Sequence, residues 1–254
     1  MTSTSKLRGG LLMAVACIVA GVLGVAGGFA WQKHQISARP ADSLAAGDRA
    51  AIEQVVHDYV LAHPEILPQA IDNLRRRENA KQLASVQDDV EKPFPGAVLG
   101  NPDGKITLVE FSDFACTFCR RSVEEVDALI AANPDLKVVI REFPILSPQS
   151  ADAARMGLAA AEQGKYGAYH RAMFAAGRPD AQSIDAAARS AGVDLDRARK
   201  FLSTPSVEAE LGRNLQLGKQ LGFQGTPSWV IGDEMYSGAV GREQLAKAID
   251  KARG

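Results

Sequence analysis

Apolar residues recur along this chain with a period that changes from one segment to the next. Gly9 to Trp31 carries no charged side chain, and Lys6 and Arg8 stand just before it. At about 1.5 Å of rise per residue, a helix over that run spans a hydrocarbon core of about 30 Å. Positive charges on the short side predict an anchor over residues 1–31 with the bulk of the chain exported. The alternative is a cleaved signal peptide, for which Gly28-Phe29-Ala30 offers a poor but usable site. Cys17, inside the run, reads as a small apolar residue of the span. Residues 32–47 are polar, include Pro40 and show no sustained period, so they predict a stalk. Ile52, Val55, Val56, Tyr59 and Val60 then follow helical spacing. His63-Pro64 interrupts that helix, because a residue before proline is pushed out of the helical region. Pro64 suits the first turn of a second helix, with Ile66, Leu67, Ile71 and Leu74 on its apolar side. Leu83, Val86 and Val90 continue a thin stripe, so residues 48–92 predict an amphipathic helical appendage. It either packs on the protein's own core or serves as a self-association module, giving a homo-oligomer.

Pro93, Pro95, Gly96 and Gly100 mark a boundary, and a domain over 93–254 follows. Ile106 to Phe111 is β-branched and aromatic over strand length. A helix follows from about Cys116, with Val123, Val126, Leu129 and Ile130 at helical spacing. Leu136 to Ile140 makes a second strand, which completes a βαβ unit with a parallel pair. Residues 147–222 are rich in alanine and predict several helices, broken at Gly164, at Gly177-Arg178-Pro179 and near Thr204-Pro205. Ser228 to Ile231 and Glu234 to Ser237 read as two short strands turning at Gly232-Asp233, and a last helix runs over 242–252. That order predicts an α/β sheet split by a helical insertion.

Composition narrows the function. The 254 residues carry 29 Lys+Arg against 30 Asp+Glu, a formal charge of −1. A near-neutral chain whose only basic run is Arg75-Arg76-Arg77 does not suit nucleic acid. Apolar residues at 46% and charged residues at 23% are ordinary for a globular protein. Three cysteines are too few for a disulfide-scaffolded domain.

Two of them form Cys116-Thr117-Phe118-Cys119, where the first strand hands over to its helix. Two intervening residues let the sulfurs meet across one helical turn and form a reversible disulfide. Cys116 lies at the helix N-terminus, where free N–H groups and the dipole favour a thiolate. Cys119, further in, stays protonated and serves as the resolving thiol. An inert structural disulfide closing so short a loop adds little stability. Half a zinc site completed by His57 and His63 is disfavoured, since those residues lie far upstream at a helix end. His34 and His170 have no partner pattern and read as surface or core residues. Glu110 shares a strand face with Ile106 and Leu108, and a buried carboxylate is costly without a role or a partner. Six residues before Cys116, it is placed to relay a proton to or from Cys119; otherwise it escapes to solvent or pairs with a base. Gly225-Thr226-Pro227 precedes the strand that starts at Ser228. Its proline is either turn punctuation or a cis bond kept for its geometry.

Glu110-Phe111-Ser112-Asp113-Phe114-Ala115-Cys116-Thr117-Phe118-Cys119-Arg120, the helical insertion and Gly225-Thr226-Pro227-Ser228 together resemble the DsbA-type thiol-disulfide oxidoreductases of the bacterial envelope. Leu99 to Gly104, with the segment from Ile52 through Leu67, resembles the ScsC-like and Com1-like branch. The resemblance implies a thioredoxin fold with an inserted helical domain, Cys116 as nucleophile, Cys119 as resolving thiol and Glu110 as buried acid. It also implies that Pro227 is a cis-proline facing the disulfide, with Thr226 pairing to an extended substrate. The substrates implied are exported, cysteine-containing proteins, reached on the periplasmic side of the inner membrane. Electrons would pass to a membrane redox partner, and no metal or organic cofactor is needed. Thr117-Phe118 replaces the Pro-His of strongly oxidising members, so Cys116 is expected to be less acidic and its disulfide less oxidising. The rivals are a thiol chaperone or copper-binding protein using Cys116 and Cys119 as soft ligands, and an adaptor whose N-terminal helices recruit a partner.

Overall fold

β-Branched and aromatic residues fill both faces of the two central strands, which is why those strands read as continuous apolar runs rather than as alternation. A computed structural model describes residues 46–254; the apolar run 9–31 and residues 32–45 of the expected 32–47 stalk lie outside it, and Ala46 and Gly47, expected in the stalk, already belong to the first helix. In chain order the elements are α1 (Ala46–Ala62), α2 (Ile66–Ala84), α3 (Gln87–Glu91), β1 (Val98–Gly100), β2 (Ile106–Ser112), α4 (Thr117–Ala132) and β3 (Leu136–Glu142). Then come α5 (Pro148–Glu162), α6 (Tyr166–Ala176), α7 (Ala181–Ser190), α8 (Leu195–Leu202), α9 (Pro205–Gln220), β4 (Ser228–Ile231), β5 (Glu234–Ser237) and α10 (Arg242–Arg253). No helix among the described residues is long and apolar enough to cross a membrane.

The chain divides into two units, Met1–Ala70 and Ile71–Gly254, with the division inside α2. In the first, α1 ends where the Tyr59 ring lies 4.4 Å from the His63 ring, and Ile52, Val55, Val56 and Tyr59 are exposed. In the second, Ile71 and Leu74 are exposed, whereas Leu83 and Val90 are buried in the core. The thin stripe of the appendage therefore changes character along its length.

The sheet of the second unit has the order β1-β3-β2-β4-β5. β2 and β3 are parallel, from Ile106 opposite Leu136 to Ser112 opposite Glu142, and every other pairing is antiparallel. Ile106, Leu108, Leu136, Val138, Trp229 and Ile231 face α4 and α10, which contribute Val126, Leu129, Leu245 and Ile249. Val109, Phe111, Val139 and Val230 face the opposite side, under Leu217, Phe223, Leu83 and Val90. This mixed sheet with helices on both faces is the thioredoxin-like α/β arrangement, and α5 to α9 lie between β3 and β4. Buried alanines, Ala153, Ala159, Ala160, Ala187 and Ala188 among them, let those helices pack at close range. The same cluster takes in Phe114, Cys116 and Cys119, so the insertion is part of what buries the cysteines.

β1 falls where prolines and glycines suggest only a boundary. Its three residues are too few to carry a period, and it exists because β3 offers an antiparallel edge. Gly100 ends it at φ 74°, where an added Cβ would come within 2.7 Å of the Leu136 carbonyl oxygen.

Arg141, on β3, is fully buried. Its guanidinium meets Glu210 at 3.0 Å and Asn214 at 3.1 Å, both from α9. It also donates to the carbonyls of Asp89, Val90 and Lys92 around the end of α3. One side chain thus holds two helices against the sheet. Removing Glu210 leaves a buried charge with fewer partners, which typically costs about 3–5 kcal/mol. The expected result for Glu210→Ala is a loss of that size in equilibrium denaturant unfolding, and a loss below about 1 kcal/mol contradicts this role for Arg141.

Candidate active site

β2 stops at Ser112, and three residues later the chain turns into α4 with Cys116 as its N-cap. An N-cap side chain accepts from the unpaired N–H groups of the first turn. In this helix the acceptor is sulfur: Cys116 Sγ takes the N–H of Cys119 at 3.3 Å. The thiol itself donates to the Thr226 carbonyl at 3.2 Å. Cys116 is 6% exposed, and Cys119 is completely buried. Both are free thiols.

The two sulfurs differ sharply in acidity. Cys116 is drawn down to about 5, chiefly by the Cys119 thiol beside it and with help from the N–H groups of Cys119 and Phe118, against burial. Burial holds Cys119 far above the ordinary thiol range, and the neighbouring Cys116 and Glu110 push it the same way. At neutral pH the pair is therefore one thiolate and one thiol, with the charge on the sulfur nearer solvent.

Glu110 sits on β2 opposite Trp229, 2% exposed, on the face covered by α4. The Ser122 hydroxyl lies 3.1 Å from Glu110 Oε1 and 2.8 Å from the Cys119 carbonyl oxygen. That one side chain joins the carboxyl to the helix carrying the cysteines. Burial pushes Glu110 up to about 8, with Ser122 and Ser112 opposing. A carboxyl that changes protonation near neutral pH can act as proton donor or acceptor there.

Thr226-Pro227 is a cis peptide bond. Pro227 is buried, and its carbonyl accepts the Gly238 N–H at 2.8 Å. The Thr226 hydroxyl is buried and finds no hydrogen-bond partner among the described residues. Between the cysteines, Phe118 is 51% exposed, with the Arg121 guanidinium 5.7 Å from its ring centre.

The fold thus assembles Glu110, Cys116, Cys119, Thr226 and Pro227 at one end of the sheet. Ser122, which a sequence reading passes over, stands three residues after Cys119, on the same helical face, and that spacing was its signal. Asp113, whose buried carboxyl accepts the backbone N–H groups of Ala115, Ile145 and Leu146, gives no such signal, since those partners are backbone groups. A second buried acid, Glu142, lies on β3 and accepts the Tyr166 hydroxyl at 2.7 Å. His170 is buried among Phe114, Tyr166 and Phe174, and desolvation lowers it to about 4, so it is a neutral core residue. His57 and His63 pair with their chain neighbours Asp58 and Glu65. Among the described residues no group of three or more His, Cys, Asp or Glu side chains is arranged to hold a metal ion.

Residues 107–250 match the family described as DSBA-like thioredoxin domain, and residues 48–81 match the copper resistance protein ScsC N-terminal domain. A thioredoxin-like oxidoreductase from Silicibacter pomeroyi DSS-3 is 42% identical, covering 61% of this chain and 91% of its own, with a TM-score of 0.59. A linker-deletion variant of Proteus mirabilis ScsC is 28% identical over 83% of this chain and 97% of its own, with a TM-score of 0.64. A Na(+)/H(+) antiporter, NhaA 1 of Mycobacterium sp. strain KMS, is 28% identical over 164 residues. That match takes in 61% of this chain but only 26% of the antiporter, so the chain spans about a quarter of the length of such curated relatives.

The position of Glu110 has a measurable sign. Its value of about 8 in the fold stands above the ordinary 4.5, so the folded protein holds this proton more tightly than the unfolded chain. The resulting stabilisation is complete below about pH 4.5 and is lost as pH rises through about 8. In the oxidised protein, where Cys116 does not titrate, Glu110→Gln is expected to gain on the wild type over that window by an amount on the order of several kcal/mol. Denaturant unfolding across pH measures it, and a difference that stays flat contradicts the assignment.

Proposed function

The chain belongs to the family of DSBA-like thioredoxin domains, and on that premise we propose that it is an envelope thiol-disulfide oxidoreductase that forms or isomerises disulfides in exported proteins. The observation that carries this reading is that two neighbouring thiols sit in different settings: the Cys116 sulfur caps α4 and accepts the Cys119 N–H at 3.3 Å, Cys119 is completely buried one turn further in, and a buried carboxyl is linked to their helix through Ser122. A structural disulfide needs no such difference.

In the oxidising direction a substrate thiolate attacks Cys116 Sγ. A substrate–Cys116 bond forms, the Cys116–Cys119 bond breaks, and its electron pair goes to Cys119, which takes the proton of Glu110. A second substrate thiolate then attacks the substrate sulfur of the mixed disulfide. The substrate disulfide forms, and Cys116 departs as a thiolate that the helix start already stabilises. Two electrons have moved from substrate to enzyme, and a membrane redox partner bearing a disulfide removes them. In the isomerising direction the Cys116 thiolate opens a wrong substrate disulfide, and Cys119 provides the escape from a trapped mixed disulfide. Thr226 and Pro227 serve as the face against which an extended substrate pairs. No cation of the motif itself stabilises Cys116, since Thr117 and Phe118 are uncharged, which makes the disulfide a weaker oxidant than those of the strongly oxidising members.

The same proposal places the catalytic domain over 93–254, with Leu83 and Val90 of the preceding segment packed into its core, and gives the helical appendage that starts at 48 the role of an oligomerisation segment, supported by the exposed Ile52, Val55, Val56 and Tyr59. It places residues 9–31 in the inner membrane as an anchor, supported by their length and lack of charge, and leaves the domain on the periplasmic side. Copper binding by the same two cysteines is the alternative, favoured by the description of that N-terminal family as a copper resistance protein domain.

Substitution of the cysteines one at a time tests the enzyme reading. Cys116→Ser is expected to lose exchange with cysteine-containing substrates, whereas Cys119→Ser accumulates covalent mixed disulfides through Cys116, visible by mass spectrometry. Mixed disulfides on Cys119 in Cys116→Ser, or stoichiometric copper binding with no exchange in the wild type, contradict it.

A further inference from the structure

Glu142 ends β3 as a buried acid, 1% exposed, that the exchange chemistry leaves unused. Side chains alternate in direction along a strand, so Leu136, Val138, Ile140 and Glu142 share one face of β3. Ile106, Leu108, Glu110 and Ser112 share the matching face of β2, and both sets lie on the side that α4 covers. The parallel register puts Glu110 opposite Ile140 and Ser112 opposite Glu142. The two acids are therefore diagonal neighbours on one buried face, with Ser112 beside both. Ser112 stands near enough to Glu110 to draw that carboxyl down. Its hydroxyl is nonetheless buried without a full hydrogen bond among the described residues.

The helical insertion is shaped to receive the Glu142 carboxyl. Tyr166, which opens α6, donates its hydroxyl to Glu142 Oε1 at 2.7 Å. Gly157 lies inside α5, where glycine is less favourable than alanine. A Cβ added there would come within 2.9 Å of Glu142 Oε1 and 3.5 Å of the Tyr166 and Tyr169 rings. The acid fills the space that this glycine leaves open.

The surrounding charges decide which form of the acid fits. Glu110 from β2, Asp113 from the turn after it, and Tyr166 and Tyr169 from α6 act on or feel this carboxyl. No cation does so among the described residues, and the guanidinium of neighbouring Arg141 lies on the opposite face with Glu210. Burial pushes Glu142 well above the ordinary carboxylate range; the Tyr166 hydroxyl opposes this, and Asp113 and Glu110 add to it. Two carboxyls in one site do not both ionise readily, and the one that keeps its proton can donate a hydrogen bond.

We propose that Glu142 is a positioning residue that keeps its proton throughout the reaction and, through the Ser112 hydroxyl, steadies the negative charge left on Glu110 when Cys119 takes the Glu110 proton. Glu142 donates to Ser112 Oγ, and Ser112 donates to the Glu110 carboxylate. The inference rests on the thiol-disulfide reading of the cysteines and adds a second acid to that site. The proton that reaches Cys119 comes from Glu110 and returns to it when the Cys116–Cys119 bond forms again. The Glu142 proton never leaves.

The test follows the protonated-carboxyl stretch of the oxidised full chain by infrared spectroscopy across neutral and alkaline pH, with Glu110→Gln identifying the Glu110 band. In the wild type that band is expected to vanish with a midpoint of about 8. A second band is expected to persist above this midpoint and to be missing in Glu142→Gln; its loss before the Glu110 band overturns the proposal. Glu142→Met fills the site without a donor and is expected to raise the Glu110 midpoint by about one pH unit, a tenfold gain in proton affinity. Glu142→Gln keeps a neutral donor and is expected to hold the midpoint at the wild-type value. A residue that only fills space would give both variants the same midpoint, and that result overturns the proposal. A fall in either variant shows that Glu142 was ionised and overturns it as well. Gly157→Ala keeps both acids but places a methyl group against the Glu142 carboxyl. It is expected to raise the Glu110 midpoint as Glu142→Met does, and it decides the question, with no rise counting against the proposal, should Glu142→Met fail to fold. Exchange with a small-molecule disulfide, measured alongside in the reduced wild type, reads the cysteine chemistry separately. Its absence overturns that reading, and the role of Glu142 with it.

Discussion

A sulfur in the N-cap position of α4 is the interaction on which the site depends. Cys116 Sγ accepts the Cys119 N–H at 3.3 Å, a bond that strengthens when the acceptor is charged. The same turn places Cys119 one helical step deeper, under the helices of the insertion, where ionisation is penalised. Two residues of identical chemistry thus acquire opposite tendencies from a difference of one turn. The rest of the fold preserves that difference. β2 and β3 fix where the turn leaves the sheet, and Glu110 supplies a carboxyl behind it.

The carboxyl groups around this site show how burial divides labour. Glu110 and Glu142 are both buried, and burial raises both. Glu110 is linked through Ser122 to the cysteine helix, while Glu142 accepts from Tyr166 in the insertion. Asp113, between them in the chain, makes its hydrogen bonds to backbone N–H groups of two separate segments. Arg141, on the opposite face of β3, plays the corresponding part for α3 and α9. Polar side chains buried in this protein serve as joints between elements that apolar packing alone does not orient.

Much of this is legible in the sequence because it rests on local pattern. Side chains alternate in direction along a strand, so Glu110 falls with Ile106 and Leu108 on the face that α4 covers, and the two-residue spacing of the cysteines at a strand-to-helix handover locates the site. The alanines over 147–222 announce helices, and the glycine-aspartate turn announces the hairpin of β4 and β5. What stays hidden depends on partners distant in sequence. β1 is too short for periodicity and forms only because β3 presents an edge. Asp113 looks like an ordinary loop residue, since its partners Ile145 and Leu146 give no side-chain signal. The stripe through Leu83 and Val90 reads the same as that through Ile52 and Val55, yet the structure buries the first pair and exposes the second. Sequence period reports that a helix has an apolar side, not what covers it.

The mechanism stands on the difference in acidity between the two cysteines, which is open to direct measurement. Titration of the reduced full chain, followed by the ultraviolet absorbance of its thiolate and referenced to Cys116→Ser, gives the midpoint of Cys116. A single thiolate appearing with a midpoint near pH 5 is the result the structure requires. A midpoint at the roughly 8.5 of a free thiol would remove the basis for an activated Cys116. One near 3.5, the value of a strong oxidant, would contradict the weaker oxidising power that follows from the uncharged Thr117 and Phe118.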